Sequence, residues 1–294
     1  MNFGGIDDEQ YSSFEAARIL VLPVSYEGTV SFGTGTGDGA MAIVEASRNM
    51  ELYEEETGSE VYKLGIHTLD EFAPRDTPAE MMDSLYHYTK ELLDSGKFLC
   101  MLGGEHSVSG PVIKAHAEKY HDLSVLQIDA HADLRDTYDG TPHSHASIMA
   151  RVVKDMRIPS VQVGIRSISS DEARSLGSGL PTKIFWAKDI VGKTGWIEDA
   201  VNSLTENVYL TIDIDGLDPS LVPTTGTPEP GGLGWYETLA LIRTLARKRR
   251  VVGMDLVEFS KTDNSDAPAF LCSKLVYKSL SYVFSEFAPK IAVA

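Results

Sequence analysis

Leu123-Ser124-Val125-Leu126-Gln127-Ile128-Asp129-Ala130-His131-Ala132-Asp133 is the stretch whose reading decides the fold. Its first part, Leu123–Asp129, is β-rich and almost continuously apolar, the pattern of a strand covered on both faces. It then switches abruptly to carboxylates and imidazole. The same grammar recurs along the chain. Val208–Asp213 runs into Asp213-Ile214-Asp215, Phe98–Leu102 into Gly103-Gly104-Glu105-His106, and Val251–Asp255 leads to Glu258. Ile19–Val24, Val61–Gly65, Val161–Ile165 and Lys183–Trp186 bring the strand candidates to about eight.

Helical patterns lie between these runs. Thr77-Pro78-Ala79-Glu80 opens one with an N-cap, a proline at the first helical position and a capping-box glutamate, and Gly96 closes it. Ser107–Tyr120, Ala146–Met156, Gly195–Thr205, Trp235–Lys248 and Pro268–Phe287 are the others. Strand–helix alternation predicts an α/β fold with a mostly parallel sheet and helices on both faces. There is no repeat, low-complexity tract or long linker, so residues 1–294 read as a single domain. Open α/β sheets bind ligands beyond the carboxyl ends of their strands, which predicts that the four polar clusters meet there.

Composition narrows the partners. The net charge of -17 repels nucleic acid and anionic lipid and attracts cations, although much of it serves solubility. The two cysteines carry no disulfide framework or thiolate metal site, and Cys100 sits in an apolar run that reads as packing. The N-terminal stretch lacks the basic and apolar regions of a secretory signal, and no apolar run reaches the roughly 18 residues of a membrane span. A cytoplasmic location is expected.

Asp129, His131 and Asp133 alternate, and extended backbone turns alternate side chains to one face. Asp213 and Asp215 repeat the spacing, and His106 adds a nitrogen after a Gly-Gly turn. Either aspartate pair alone reads better as turn chemistry, as at Asp215-Gly216 and Asp218-Pro219. Together they form a self-repelling carboxylate group, with no balancing Arg or Lys in sight, that divalent cations would relieve. Oxygen donors with two imidazoles suit manganese, and zinc or iron less well. Two metals sharing a water would generate hydroxide at neutral pH.

Gly103-Gly104-Glu105-His106-Ser107, Asp129–Asp133, Ser144-His145-Ala146-Ser147, Asp213–Pro219 and Gly253-Met254-Asp255-Leu256-Val257-Glu258 resemble, in order, the signature blocks of the ureohydrolase (arginase/agmatinase) family. The resemblance spans nearly the whole chain. It implies a three-layer α/β/α sandwich with an eight-stranded parallel sheet, and two Mn²⁺ per chain. His106, Asp129, Asp133 and Asp213 would hold one ion, and Asp129, His131, Asp213 and Asp215 the other. It further implies that Glu258 pairs with a substrate guanidinium and that His145 shuttles the proton to the leaving amine, with His143 as its rival. A homo-oligomer, trimer or hexamer, follows by analogy.

The run after Asp133, Leu134-Arg135-Asp136-Thr137-Tyr138, departs from the arginase pattern and looks more like agmatinases, whose substrate has no α-carboxylate. Asp136 and Asp139 would then greet the distal ammonium of agmatine; a solvated loop is the equal alternative. The expected reaction is agmatine plus water to putrescine plus urea. N(1)-aminopropylagmatine, guanidinobutyrate or arginine are other substrates, and a metal-dependent deacetylase or a non-catalytic binding protein are other readings of such a fold. Gly35–Ala40 has a dinucleotide-like glycine pattern without the strand that should precede it, and reads as a flexible loop near the site mouth. Arg247–Arg250 reads as cations at a helix C-terminus. Glu229 sits in a turn that could border the site and reads as structural by default.

Overall fold

The apolar runs pair into one eight-stranded sheet. In the computed structural model, which describes residues 1–193 and 195–291, the strands are β1 Ile19–Val24, β2 Ile66–Thr68, β3 Phe98–Gly103, β4 Leu123–Ile128, β5 Ser160–Ile165, β6 Thr182–Trp186, β7 Asn207–Asp213 and β8 Arg250–Val257. All neighbours are parallel, in the order β2-β1-β3-β8-β7-β4-β5-β6.

Successive strand side chains go to opposite faces and build two cores. Cys100 and Leu102 of β3 and Leu210 and Ile212 of β7 pack with the helices Gly39–Ser47, Trp196–Asn202, Trp235–Lys248 and Asp266–Val283. Leu99 and Met101 of β3 and Val125 of β4 face the helices Pro78–Asp94 and Ser109–Lys119. Each fully buried Leu or Ile contributes about 1.5–3 kcal/mol, so the two faces hold the sheet between helix layers. The result is a three-layer α/β/α sandwich. Thr77 caps its helix as the sequence predicts, its hydroxyl accepting from the Glu80 N–H with Pro78 at the start.

Chain order places the site. β3 and β4 are consecutive in sequence, yet β8 and β7 lie between them. The four adjacent strands β3, β8, β7 and β4 are those whose carboxyl ends carry the polar clusters.

Three expectations need correction. Val61–Gly65 is not a strand. Val61–Leu64 coils into a 3-10 turn and Gly65 takes φ +83, where a Cβ would lie 2.6 Å from Ala17 Cα, so the strand starts only at Ile66. Ala146–Met156 is not one α-helix: Ile148–Ala150 is a single turn and Arg151–Asp155 widens to a π-helix. The helix Gly39–Ser47 went unread behind its glycine-rich approach. Gly39 is required there because a Cβ would stand 2.0 Å from the Phe259 carbonyl oxygen.

Candidate metal centre and its cleft

Two tight turns aim the carboxylates. The Asp129 Oδ1 accepts the His131 N–H at 2.6 Å, and the Asp213 Oδ1 accepts the Asp215 N–H at 3.0 Å. Each Asp-x-Asp/His repeat therefore closes on itself as its strand ends. The alternation in Asp129–Asp133 is not that of a continued strand: β4 stops at Ile128 and Asp133 takes φ +51. That left-handed residue swings Asp133 back beside Asp129. The Ala130 N–H donates to Asp215 Oδ1 at 3.0 Å and ties the two repeats together.

His106 stands at the centre of one group. Its Nδ1 lies 3.0 Å from Asp133 Oδ2, 3.1 Å from Asp129 Oδ2 and 3.3 Å from Asp213 Oδ2. The second group has His131 Nδ1 at 2.9 Å from Asp215 Oδ2 and 3.7 Å from Asp129 Oδ1. Asp129 is shared by both sets of potential ligand atoms. Asp213 contacts the first group by its side chain and the second through the Asp215 N–H.

The hydrogen-bond donors around His106 fit a cation at Nδ1. His106 Nε2 lies 3.0 Å from Thr211 Oγ1, and that hydroxyl sits 2.6 Å from Asp255 Oδ1, to which it must donate. Tyr209 holds the other Asp255 oxygen at 2.8 Å. Thr211 can then only accept from the imidazole, which puts a proton on Nε2 and turns Nδ1 toward three carboxylates; burial lowers the ring, but Asp129, Asp133 and Asp213 outweigh it and hold the ring well above its usual range, so the site calls for positive charge at Nδ1. That buried Nδ1 has no hydrogen-bond partner. Lone pairs converging on one point describe a metal position. Gln127 steadies the shared carboxylate, its Nε2 donating to Asp129 Oδ2 at 2.6 Å.

The electrostatics agree. Burial, then the Asp129 charge, raises the Asp133 carboxyl to about 7. Burial, then Asp215 and Asp129, holds Asp213 well above the usual range, and burial with Asp129 raises Asp215. Burial pushes His131 down, but Asp129 and Asp215 outweigh it and lift the ring to about 12. Without cations, protons are drawn in to do their work; divalent ions would replace them.

A cleft of about 310 Å³ opens over this centre. A family model for the arginase family matches residues 17–281. The chain belongs to the arginase family. It is a hydrolase of amidines. It is 37% identical to the N(1)-aminopropylagmatine ureohydrolase of Synechocystis sp. over 286 residues, covering 94% of this chain and 92% of that one. It is 35% identical to the agmatinase of Bacillus anthracis, covering 94% and 96%. The crystal structure of the agmatine ureohydrolase of Thermoplasma volcanium superposes with a TM-score of 0.85 at 27% identity, covering 95% and 94%.

Glu258 enters the enzyme's cleft in strained backbone, φ +64. Its Oε1 accepts the His106 N–H at 2.7 Å, and its Oε2 has no hydrogen-bond partner among the described residues. Burial, with Glu105 adding repulsion, raises its carboxyl to about 8. His145 lines the same cleft, edge-on to Tyr138, and burial pushes it down to about 4. His143 instead lines a separate cleft of about 470 Å³ with Lys114 and Arg151, which removes it as the rival shuttle.

Asp136 is not brought to the site. Its carboxylate is exposed, pairs with Lys154 at 2.7 Å and stays outside the cleft lining, so the solvated-loop alternative holds for it. Asp139 also stays outside the lining. Glu229, read as a turn residue, lines the wall, with Oε1 3.9 Å from His131 Nε2. Arg166 was missed. Its guanidinium donates to the carbonyls of Asp215 at 2.7 Å, Leu217 at 3.2 Å and Glu229 at 2.7 Å, clamping two loops and setting one half-buried cation beside the carboxylates. In the glycine-rich loop, Glu27 Oε2 accepts the N–H groups of Gly35 and Gly37, both at 2.9 Å.

Proposed function

We propose that the enzyme hydrolyses agmatine to putrescine and urea, with two Mn²⁺ ions as its cofactor. The observation that carries this reading is the orphaned His106 Nδ1 among three carboxylates, under a cleft that holds a spare carboxylate and a neutral imidazole. His106, Asp129, Asp133 and Asp213 would hold one ion, and Asp129, His131, Asp213 and Asp215 the other. Bound there, the ions supply Lewis acidity and an acidified water.

The chain's own groups do the rest. The raised Glu258 carboxyl would ionise as the guanidinium enters and offer Oε2 to its N–H groups, a charge-assisted contact that turns the carbon toward the centre. Burial keeps His145 neutral at pH 7, so it can take a proton from the water that adds to the guanidinium carbon and give it to the leaving amine. Glu229 takes the role expected of Asp136. It is the one carboxylate of the cleft wall, among the described residues, more than a third exposed, at 37%, and would face a tail ammonium.

N(1)-aminopropylagmatine is the second reading, favoured by the name of the 37% identical Synechocystis relative. Both substrates lack an α-carboxylate. A panel of agmatine, N(1)-aminopropylagmatine, guanidinobutyrate and arginine, assayed for urea with manganese present, is expected to give the highest kcat/KM for agmatine. Failure to release urea from any of them would refute the reading. We further take residues 1–294 to act as one domain, in a cytoplasmic homo-oligomer, trimer or hexamer, without nucleic-acid or membrane partners. Among the described residues no helix is long and apolar enough to cross a membrane.

A further inference from the structure

We propose that Thr29 and Glu105 are positioning residues that hold His145 in one tautomer, with the proton on Nδ1 and the Nε2 lone pair open to the cleft. This rests on the reading of His145 as the proton carrier. Glu105 is fully buried. Its Oε2 accepts the backbone N–H groups of Gly28 at 2.7 Å and Thr29 at 2.6 Å. Its Oε1 lies 2.5 Å from Ser107 Oγ and 2.6 Å from Thr29 Oγ1.

Four donors on one carboxylate fix the direction of each bond. The carboxylate only accepts, so the Thr29 hydroxyl proton is committed to Glu105. Thr29 Oγ1 keeps only lone pairs for its other neighbours. Those neighbours both belong to His145: the backbone N–H at 3.2 Å, and ring Nδ1 at 3.3 Å. A bond to Nδ1 then requires the proton to be on Nδ1. The backbone bond and the ring bond to the same oxygen set both the position and the rotation of the imidazole.

The consequence is chemical. A ring with Nδ1–H presents a bare Nε2, able to take a proton from the cleft and return it. The opposite tautomer would present an N–H and could accept nothing there. Ser144 Oγ, also 3.3 Å from Nδ1, is the competing partner, and it already accepts the Ala146 N–H. Glu105 and Ser107 flank His106 in sequence, so the segment that carries a metal ligand also carries the anchor for the proton carrier, 116 residues from Thr29.

The test reads the tautomer directly. Imidazole nitrogen-15 shifts are recorded on the metal-free full chain, with His145 assigned by its loss in His145→Gln. The wild type is expected to show the Nδ1–H form. Thr29→Val is expected to shift His145 toward Nε2–H and, in the manganese-loaded enzyme, to lower kcat on agmatine roughly 10–100-fold with KM little changed, within what a proton-transfer group contributes. Thr29→Ser should restore both. An Nε2–H form in the wild type overturns the proposal, even if Thr29→Val fails to fold. An unchanged tautomer or unchanged kcat in Thr29→Val also overturns it, and the former assigns Nδ1 to Ser144. The tautomer is read without turnover, so an enzyme inactive on every amidine would leave this inference standing while the functional reading falls.

Discussion

Replacing Thr211 by Val should loosen the metal centre without touching a single ligand. Valine keeps the branched shape but deletes Oγ1, and with it the bonds to His106 Nε2 at 3.0 Å and Asp255 Oδ1 at 2.6 Å. The site is fully buried, so no water replaces the lost oxygen. An orphaned buried N–H costs about 1–3 kcal/mol, and the freed ring no longer aims Nδ1 at the carboxylates. A tenfold change in affinity corresponds to about 1.4 kcal/mol, so the expected weakening of manganese binding is roughly 10–100-fold. Competition with a chromogenic chelator measures it, with circular dichroism to confirm that the fold persists. Equal affinity in wild type and Thr211→Val would mean that the Thr211 contact does not orient His106, and the bookkeeping that placed the proton on Nε2 would be wrong.

Three other outcomes follow from the same geometry. Glu258→Gln keeps the oxygen that accepts from His106 but removes the charge offered to the guanidinium; losing a charged hydrogen bond of about 1.5–3 kcal/mol should cut kcat/KM for agmatine on the order of 10–100-fold. Glu229→Gln should raise KM for agmatine more than for guanidinobutyrate, whose tail carries no ammonium, whereas Asp136→Ala should leave both unchanged, because Asp136 is paired with Lys154 outside the cleft. The last concerns pH. Asp133 and Glu258 are raised by burial to about 7 and about 8, so their contribution to metal-free stability is complete below the unfolded carboxylate range and is lost as pH rises through those values. His131, lifted to about 12 against burial by its carboxylates, changes in the same sense above its unfolded range. Metal-free protein should therefore melt at falling temperatures from about pH 5 to about pH 9, and manganese should widen the gap to the loaded enzyme over that window; a gap that narrows with rising pH in melting curves would contradict the site.

Much of this was legible in the chain because two periodicities were clean. Seven of the eight strands lie where apolar runs predict them, and the ligand-type residues sit where those runs stop. The eighth failed because Gly65 serves backbone approach, a three-dimensional demand that a local apolar count does not register. Asp136 misled because sequence proximity to Asp133 says nothing of direction: its neighbours Arg135 and Tyr138 line the cleft, while its own carboxylate turns away to Lys154. The unread supports had a signal. Gln127 and Thr211 are polar residues inside apolar strands, each two residues before an aspartate and hence on its face of the sheet. A polar side chain buried there needs a partner, and its partner is the centre itself. Arg166 comes just after β5, and its contacts are all to carbonyls, which no side-chain pattern announces.

The strand order has a bearing on how the chain acquires its structure. His106 follows β3 and Asp129 follows β4, yet these strands touch only through β8 and β7, the last two to be synthesised. Pairings this distant in sequence are slow, because loop-closure entropy is spent before the contacts return it. A nascent chain therefore carries His106, Asp129 and Asp133 for more than a hundred residues before β8 exists to bring them together. Metal capture becomes a signal of completed folding: the ions have nowhere to sit until the carboxyl-terminal strands have slotted into the middle of the sheet.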